Sequence, residues 1–199
     1  MTDRATAALI GGVALLERAM GYTLGSLQLV TPNTLHWPTP CAEWDVQALL
    51  VHMIDSLDAL CDAVDAGHID DAAPAPELST ATELVTAVRD RACRLLGAWA
   101  GADEPAVVSI YGRPLPRTIV ASTGAIEVAV HGWDLARGCG HDRPIPAGLA
   151  EDLGQLAPLV VTHQDRPHRF GYQVSVPPDA RPSDRLVAFL GRDPRPLLR

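Results

Sequence analysis

Ala125-Ile126-Glu127-Val128-Ala129-Val130-His131-Gly132-Trp133-Asp134-Leu135 is the stretch on which the reading of this chain turns. From Thr118 to Ala136 the spacing predicts a helix, and that helix is apolar on nearly every side, as buried helices are. No arginine interrupts it between Arg117 and Arg137. Yet Glu127 and His131 sit in its middle, four residues apart, where side chains stack on one face. A buried, unpaired carboxylate is costly enough that it protonates, pairs or binds a cation. No basic side chain lies close in sequence to pair with Glu127. A metal ion shared with His131 resolves the cost. So does a direct hydrogen bond between the two, or a polar interface between subunits, and spacing alone leaves all three open.

Around this helix the chain reads as further helices. Asp3 is placed to cap a first one running to about Gln28, with Leu9, Ile10, Val13, Leu16, Met20, Leu24 and Leu27 on one stripe. After a proline-rich connector, a second begins near Trp44-Asp45 and runs to about Val64; its stripe is Val46, Leu49, Leu50, Met53, Leu57, Leu60, Cys61 and Val64. His52 lies on the flank of that stripe with Asp45 and Ser56, a solvated position or one facing a cleft beside the core. Residues 67–79 read as an acidic linker. Thr80-Ala81-Thr82-Glu83 is a capping box opening a third helix that Gly101 closes. Val107–Tyr111 reads as a short extended piece, and Gly138 and Gly140 end the central helix. Four long helices with moderate connections predict a mainly α protein, an antiparallel four-helix bundle over residues 1–140. Residues 141–199 predict a short α+β extension packed on the bundle, too short to bury a core alone. It comprises a helix over 146–156 stopped at Pro158, a strand over 170–176, and a last helix around 186–190 capped by Ser183.

Composition narrows the functional classes. The 199 residues are 47% hydrophobic, which argues against disorder, and no apolar run is long enough to span a membrane. The N-terminus lacks the layout of a signal peptide, so a cytoplasmic location is expected. A net charge of −8 is the wrong sign for general nucleic-acid binding. All basic residues are arginines, which excludes Schiff-base chemistry through lysine. Cys41, Cys61, Cys93 and Cys139 form no C-x-x-C pair; Cys61 reads as core, while Cys41 and Cys139 flank loops with nothing activating beside them. No nucleophile elbow, Walker loop or dinucleotide fingerprint is present.

Three segments carry a family resemblance: Pro38-Thr39-Pro40-Cys41-Ala42-Glu43-Trp44-Asp45-Val46 with Leu49-Leu50-Val51-His52; Glu127 to Ala136; and Asp184-Arg185-Leu186-Val187-Ala188-Phe189-Leu190-Gly191-Arg192-Asp193-Pro194. In this order, and across nearly the whole chain, they resemble the actinobacterial metal-binding proteins related to mycothiol-dependent maleylpyruvate isomerase, within the DinB-like superfamily. The resemblance implies a bundle with one divalent metal, usually zinc, with Ni2+ or Fe2+ as other candidates, bound by His52, Glu127 and His131. Two histidines and a carboxylate leave a fourth position for water or a thiol, as in catalytic zinc sites. It further implies an enzyme that uses mycothiol as co-substrate for isomerisation or thiol transfer on a small molecule. The alternatives are a non-catalytic metal-bearing binding protein and a metal-dependent hydrolase or cyclase of a biosynthetic pathway. Bundles of this kind often pair as homodimers. Asp134 and Asp55, each three residues after a ligand histidine, are expected as second partners of the imidazoles, Asp134 alternatively pairing with Arg137 or Arg117. Trp44 and Trp133 are expected as packing, and His36, His68, His141, His163 and His168 as surface residues, although His163 or His168 could line a pocket. The isomerase itself has a longer second domain that supplies a basic residue. No counterpart is assigned here among Arg166, Arg169, Arg181, Arg185 and Arg192, which puts maleylpyruvate as substrate in doubt.

Overall fold

The computed structural model describes residues 11–41, 44–69, 78–101, 107–110, 112–167 and 170–195. Six helices lie within them: α1 (Gly12–Leu27), α2 (Val46–Asp65), α3 (Ala81–Gly101), α4 (Arg117–Gly138), α5 (Ala147–Val160) and α6 (Pro182–Phe189). Helices α1–α4 form the expected antiparallel bundle; the cap at Asp3 lies outside the described residues. Asp45 caps α2 by accepting a 2.8 Å hydrogen bond from the Ala48 N–H, and Thr80 and Glu83 form the reciprocal box at the start of α3.

Helix α4 is the centre of the molecule. Of its 22 residues, 17 are buried, because α1, α2 and α5 all pack on it. So close an approach needs a small residue at the crossing. A Cβ on Gly132 would lie 2.3 Å from Thr23 Oγ1 and 3.1 Å from the Thr23 backbone, while the Thr23 hydroxyl donates to the Val128 carbonyl at 2.8 Å. At the far end, Gly140 turns left-handed at φ 87°, and the His141 N–H returns to the Ala136 carbonyl, closing the helix.

The sequence reading of the connections needs correction in places. His68–Ile69 (β1), inside the expected linker, pairs parallel with Val107–Ile110 (β2). That strand turns through Gly112 to pair antiparallel with Arg113–Pro116 (β3). Helix α5 runs through Pro158 to Val160. A proline this near a C-terminus forfeits only the hydrogen bond to the carbonyl four residues back, and the Val161 N–H still bonds to Ala157. Segment 170–176 forms no strand among the described residues; its Val174 N–H bonds instead to the Ala188 carbonyl in the last turn of α6. Pro182 opens α6, and Ser183, expected as its cap, is buried one residue inside, accepting the Ile145 N–H at 3.0 Å. Buried side chains from all six helices belong to one hydrophobic cluster. No described helix is long and apolar enough to cross a membrane.

The Gly132 crossing sets a testable contrast. Gly132→Ala should destabilise the protein by about 1–3 kcal/mol through overpacking against Thr23. Gly97→Ala, on the open face of α3 with nothing within 4 Å, should stabilise it by about 0.5–1 kcal/mol. Urea denaturation midpoints of the two variants check the pair; equal shifts would contradict the crossing.

Candidate metal centre

Helices α2 and α4 bring His52, Glu127 and His131 together. His52 Nε2 lies 2.8 Å from Glu127 Oε1, and His131 Nε2 lies 3.1 Å from the same oxygen. The two imidazoles meet edge to face with centroids 5.0 Å apart. His131 is nearly enclosed, its side chain 6% exposed, while His52 and Glu127 remain 32% and 34% exposed and open the group on one side. That side adjoins a narrow apolar pocket between α1, α2, α3 and α4, with about 20 Å³ of free space, walled by Met20, Leu24, Met53, Leu57 and Val88, with Ser56 at its edge. The Ser56 hydroxyl is 3.4 Å from His52 Nε2.

The other face of His131 is built from charge. Its Nδ1 lies 3.1 Å from Asp134 Oδ2, and Asp134, 0% exposed, is held at 3.1 Å and 3.5 Å by the guanidinium of Arg192. Burial disfavours ionisation of Asp134, but the Arg192 charge and the His131 hydrogen bond overcome it and hold the carboxyl below its ordinary range. Burial likewise disfavours ionisation of Glu127, and the hydrogen bonds of His131 and His52 carry it well below the usual carboxylate range. His131 thus has an ionised carboxylate at each ring nitrogen, so both nitrogens carry hydrogen. Burial would lower its pKa; the bonds to Asp134 and Glu127 raise it to about 9.

This arrangement fits a divalent metal. The three donor atoms lie within 4.8 Å of one another and all face one point; the protons now on the two Nε2 atoms are what a cation would replace. A second group, Cys41, His131 and Asp134, is equally close, but the Arg192 guanidinium already stands there, with Nη2 3.6 Å from Cys41 Sγ. Burial pushes the Cys41 thiol up to about 11.

Of the second partners expected, Asp134 meets His131, and its cation is Arg192 rather than Arg137 or Arg117. Asp55 is exposed, and Ser56 is the helix neighbour that reaches His52. Trp44, expected as packing, lies over the site, its ring centroid 4.4 Å from that of His52 and 6.0 Å from that of His131. Its backbone is fixed by the turn in which Thr39 bonds to the Trp44 carbonyl through both N–H and hydroxyl. Neither Trp44 nor Arg192 has a periodic signal that marks it for the site; both do lie in the segments that carry the resemblance. His36, His68, His141 and His163 are exposed, as expected, and His168 lies outside the described residues.

Comparison with known proteins bears on the family and the fold. The family model of the mycothiol maleylpyruvate isomerase N-terminal domain matches residues 16–136. An uncharacterized protein of Mycobacterium tuberculosis, found in strains CDC 1551 and H37Rv, is 28% identical over 181 residues, covering 90% of this chain and 96% of its own. Among solved structures, the crystal structure of the mycothiol-dependent maleylpyruvate isomerase superposes with a TM-score of 0.59 at 20% identity, over 76% of this chain and 70% of that one. A mutant of the same isomerase superposes with a TM-score of 0.57 at 19% identity.

The doubly bonded imidazole predicts a pH dependence for the metal-free protein. A histidine pKa raised above its ordinary 6.5 contributes stability that is full below about pH 6.5 and is lost as pH rises through about 9. Chelator-stripped protein should therefore lose on the order of 2–3 kcal/mol between pH 6.5 and 9.5 by urea denaturation, and His131→Gln should lose much less. Wild-type and variant curves of equal slope would contradict the assignment.

Proposed function

This chain belongs to the mycothiol maleylpyruvate isomerase family, and from that membership and the site we propose that it is a cytoplasmic, metal-dependent enzyme that uses a low-molecular-weight thiol, mycothiol, on a small and largely apolar substrate. The observation that carries the reading is the convergence of His52 Nε2, Glu127 Oε1 and His131 Nε2 beside an apolar cleft. A zinc ion, when bound there, supplies the Lewis acidity that keeps a thiol sulfur deprotonated near neutral pH. His52, Glu127 and His131 would hold it. Asp134 holds the Nδ1 proton of His131 and so keeps Nε2 directed at the site. Trp44 shields the imidazoles on one side and limits water there. Met20, Leu24, Met53, Leu57 and Val88 form the apolar wall against which a substrate at the metal would rest. Residues 141–199 act as an extension of the bundle rather than an independent domain.

The cleft also argues about substrate. Among the described residues that line it, the ionisable ones are Glu127 and His131, both given to the metal, and no arginine is present. A dianion such as maleylpyruvate would find no opposing cation there. The reaction class follows from the thiol: addition to an activated double bond and later departure gives isomerisation, and retention on the product gives transfer.

Cobalt-substituted protein tests this reading. Addition of mycothiol should produce a thiolate-to-cobalt charge-transfer absorption in the near ultraviolet, and Glu127→Ala, which removes one of the three proposed ligands, should abolish both cobalt uptake and that absorption. Cobalt uptake without any spectral response to mycothiol would overturn the thiol reading.

A further inference from the structure

Arg192 is a buried charge that the proposed chemistry does not use directly. It lies 58 residues beyond Asp134 in sequence, past α6, with its side chain 8% exposed. Its guanidinium donates to both oxygens of Asp134, to the Leu190 carbonyl at 3.0 Å, and toward Cys41 Sγ. Among the described residues of the C-terminal segment, Arg192 is the one hydrogen-bonded to Asp134. We propose that Arg192 is a positioning residue for the metal centre: through Asp134 it fixes the ring of His131, so that docking of the C-terminal segment and metal binding are one coupled equilibrium. The inference rests on the metal reading above and deepens it.

The argument is geometric. Asp134 is a carboxylate at 0% exposure whose bonded partners are His131 and Arg192. With Arg192 removed it would be a buried charge facing one imidazole, an arrangement that burial strongly disfavours and that is relieved when the carboxylate swings away. The Nδ1 hydrogen of His131 then loses its acceptor, and with it the constraint that aims Nε2 at Glu127 and His52. Partners of this kind behind a ligand histidine change metal affinity by about 10–100-fold when removed. The bidentate reach across both oxygens is a property of a guanidinium that an ammonium does not reproduce. Because coupling is reciprocal, whatever factor Arg192 adds to metal affinity, bound metal adds to docking of the segment that carries Arg192.

Zinc affinity, measured by competition with a chromophoric chelator, tests this without any assay of activity. Arg192→Gln should bind zinc about 10–100-fold more weakly than wild type, Arg192→Lys should fall between them, and Asp134→Asn combined with Arg192→Gln should be no weaker than Asp134→Asn alone. Leu95→Ala, a buried truncation in α3 away from the C-terminal segment, should lower stability and leave zinc affinity unchanged. Zinc should also slow amide exchange across residues 182–192 in wild type and not in Arg192→Gln. Should Arg192→Gln fail to fold, the lysine variant and the exchange experiment decide. Zinc affinity in the Arg192 variants within twofold of wild type, or exchange in the segment indifferent to zinc, would overturn the relay. A wild-type protein that takes up no zinc would overturn the metal reading beneath it instead.

Discussion

One carboxylate oxygen, Glu127 Oε1, receives two imidazoles from two helices, and much of the molecule is arranged to make that meeting affordable. Glu127 sits on a helix buried along most of its length, where a charge without a partner would be expelled. Its partners arrive from α2, which His52 rides on the edge of the apolar stripe, and from one turn further along α4 itself. Glycine at 132 lets α1 lie close enough to enclose that turn, and Trp44 lies over the rings from the loop before α2. The same packing that hides His131 leaves Glu127 and His52 about a third exposed, so the group is both held and reachable.

Charge alternates through the interior in a single file: Glu127, His131, Asp134, Arg192. Each member is disfavoured by its own burial and sustained by its neighbour, which is why both carboxyls stay ionised and why the His131 pKa rises to about 9. Such a file is a weak source of net stability and a strong source of orientation. It joins the C-terminal segment to the bundle centre by the one kind of contact that cannot slide, a guanidinium on a buried carboxylate. In the proposed enzyme this orientation serves the ligand geometry, and the apolar cleft beside it serves the substrate.

Much of this was legible in the sequence where the signal is periodic. The stripes of α1 and α2, the capping box at Thr80–Glu83 and the all-round apolar character of α4 each follow from repeated local choices, and the helices lie where those choices put them, although Val13 of the α1 stripe is 38% exposed. The i, i+4 pair of Glu127 and His131 is legible for the same reason. His52 was visible only as a residue beside its stripe, and the family resemblance is what joined it to the pair. Arg192 and Trp44 were not legible as site residues, because long-range contacts leave no period in the chain. Pro158 misled by a rule that holds in helix interiors and weakens in a last turn. The alternation over 170–176 misled because period two marks a chain with two different faces, whether or not a partner strand is there to pair with it.

The central claim is that His52, Glu127 and His131 hold a metal, and metal content measured by elemental mass spectrometry on purified protein tests it most directly, with Glu127→Ala measured alongside. The account predicts about one divalent ion per chain in the wild type and its loss in the variant. Absence of metal from both, persisting after reconstitution with zinc, would contradict it and leave the three residues as a buried polar cluster.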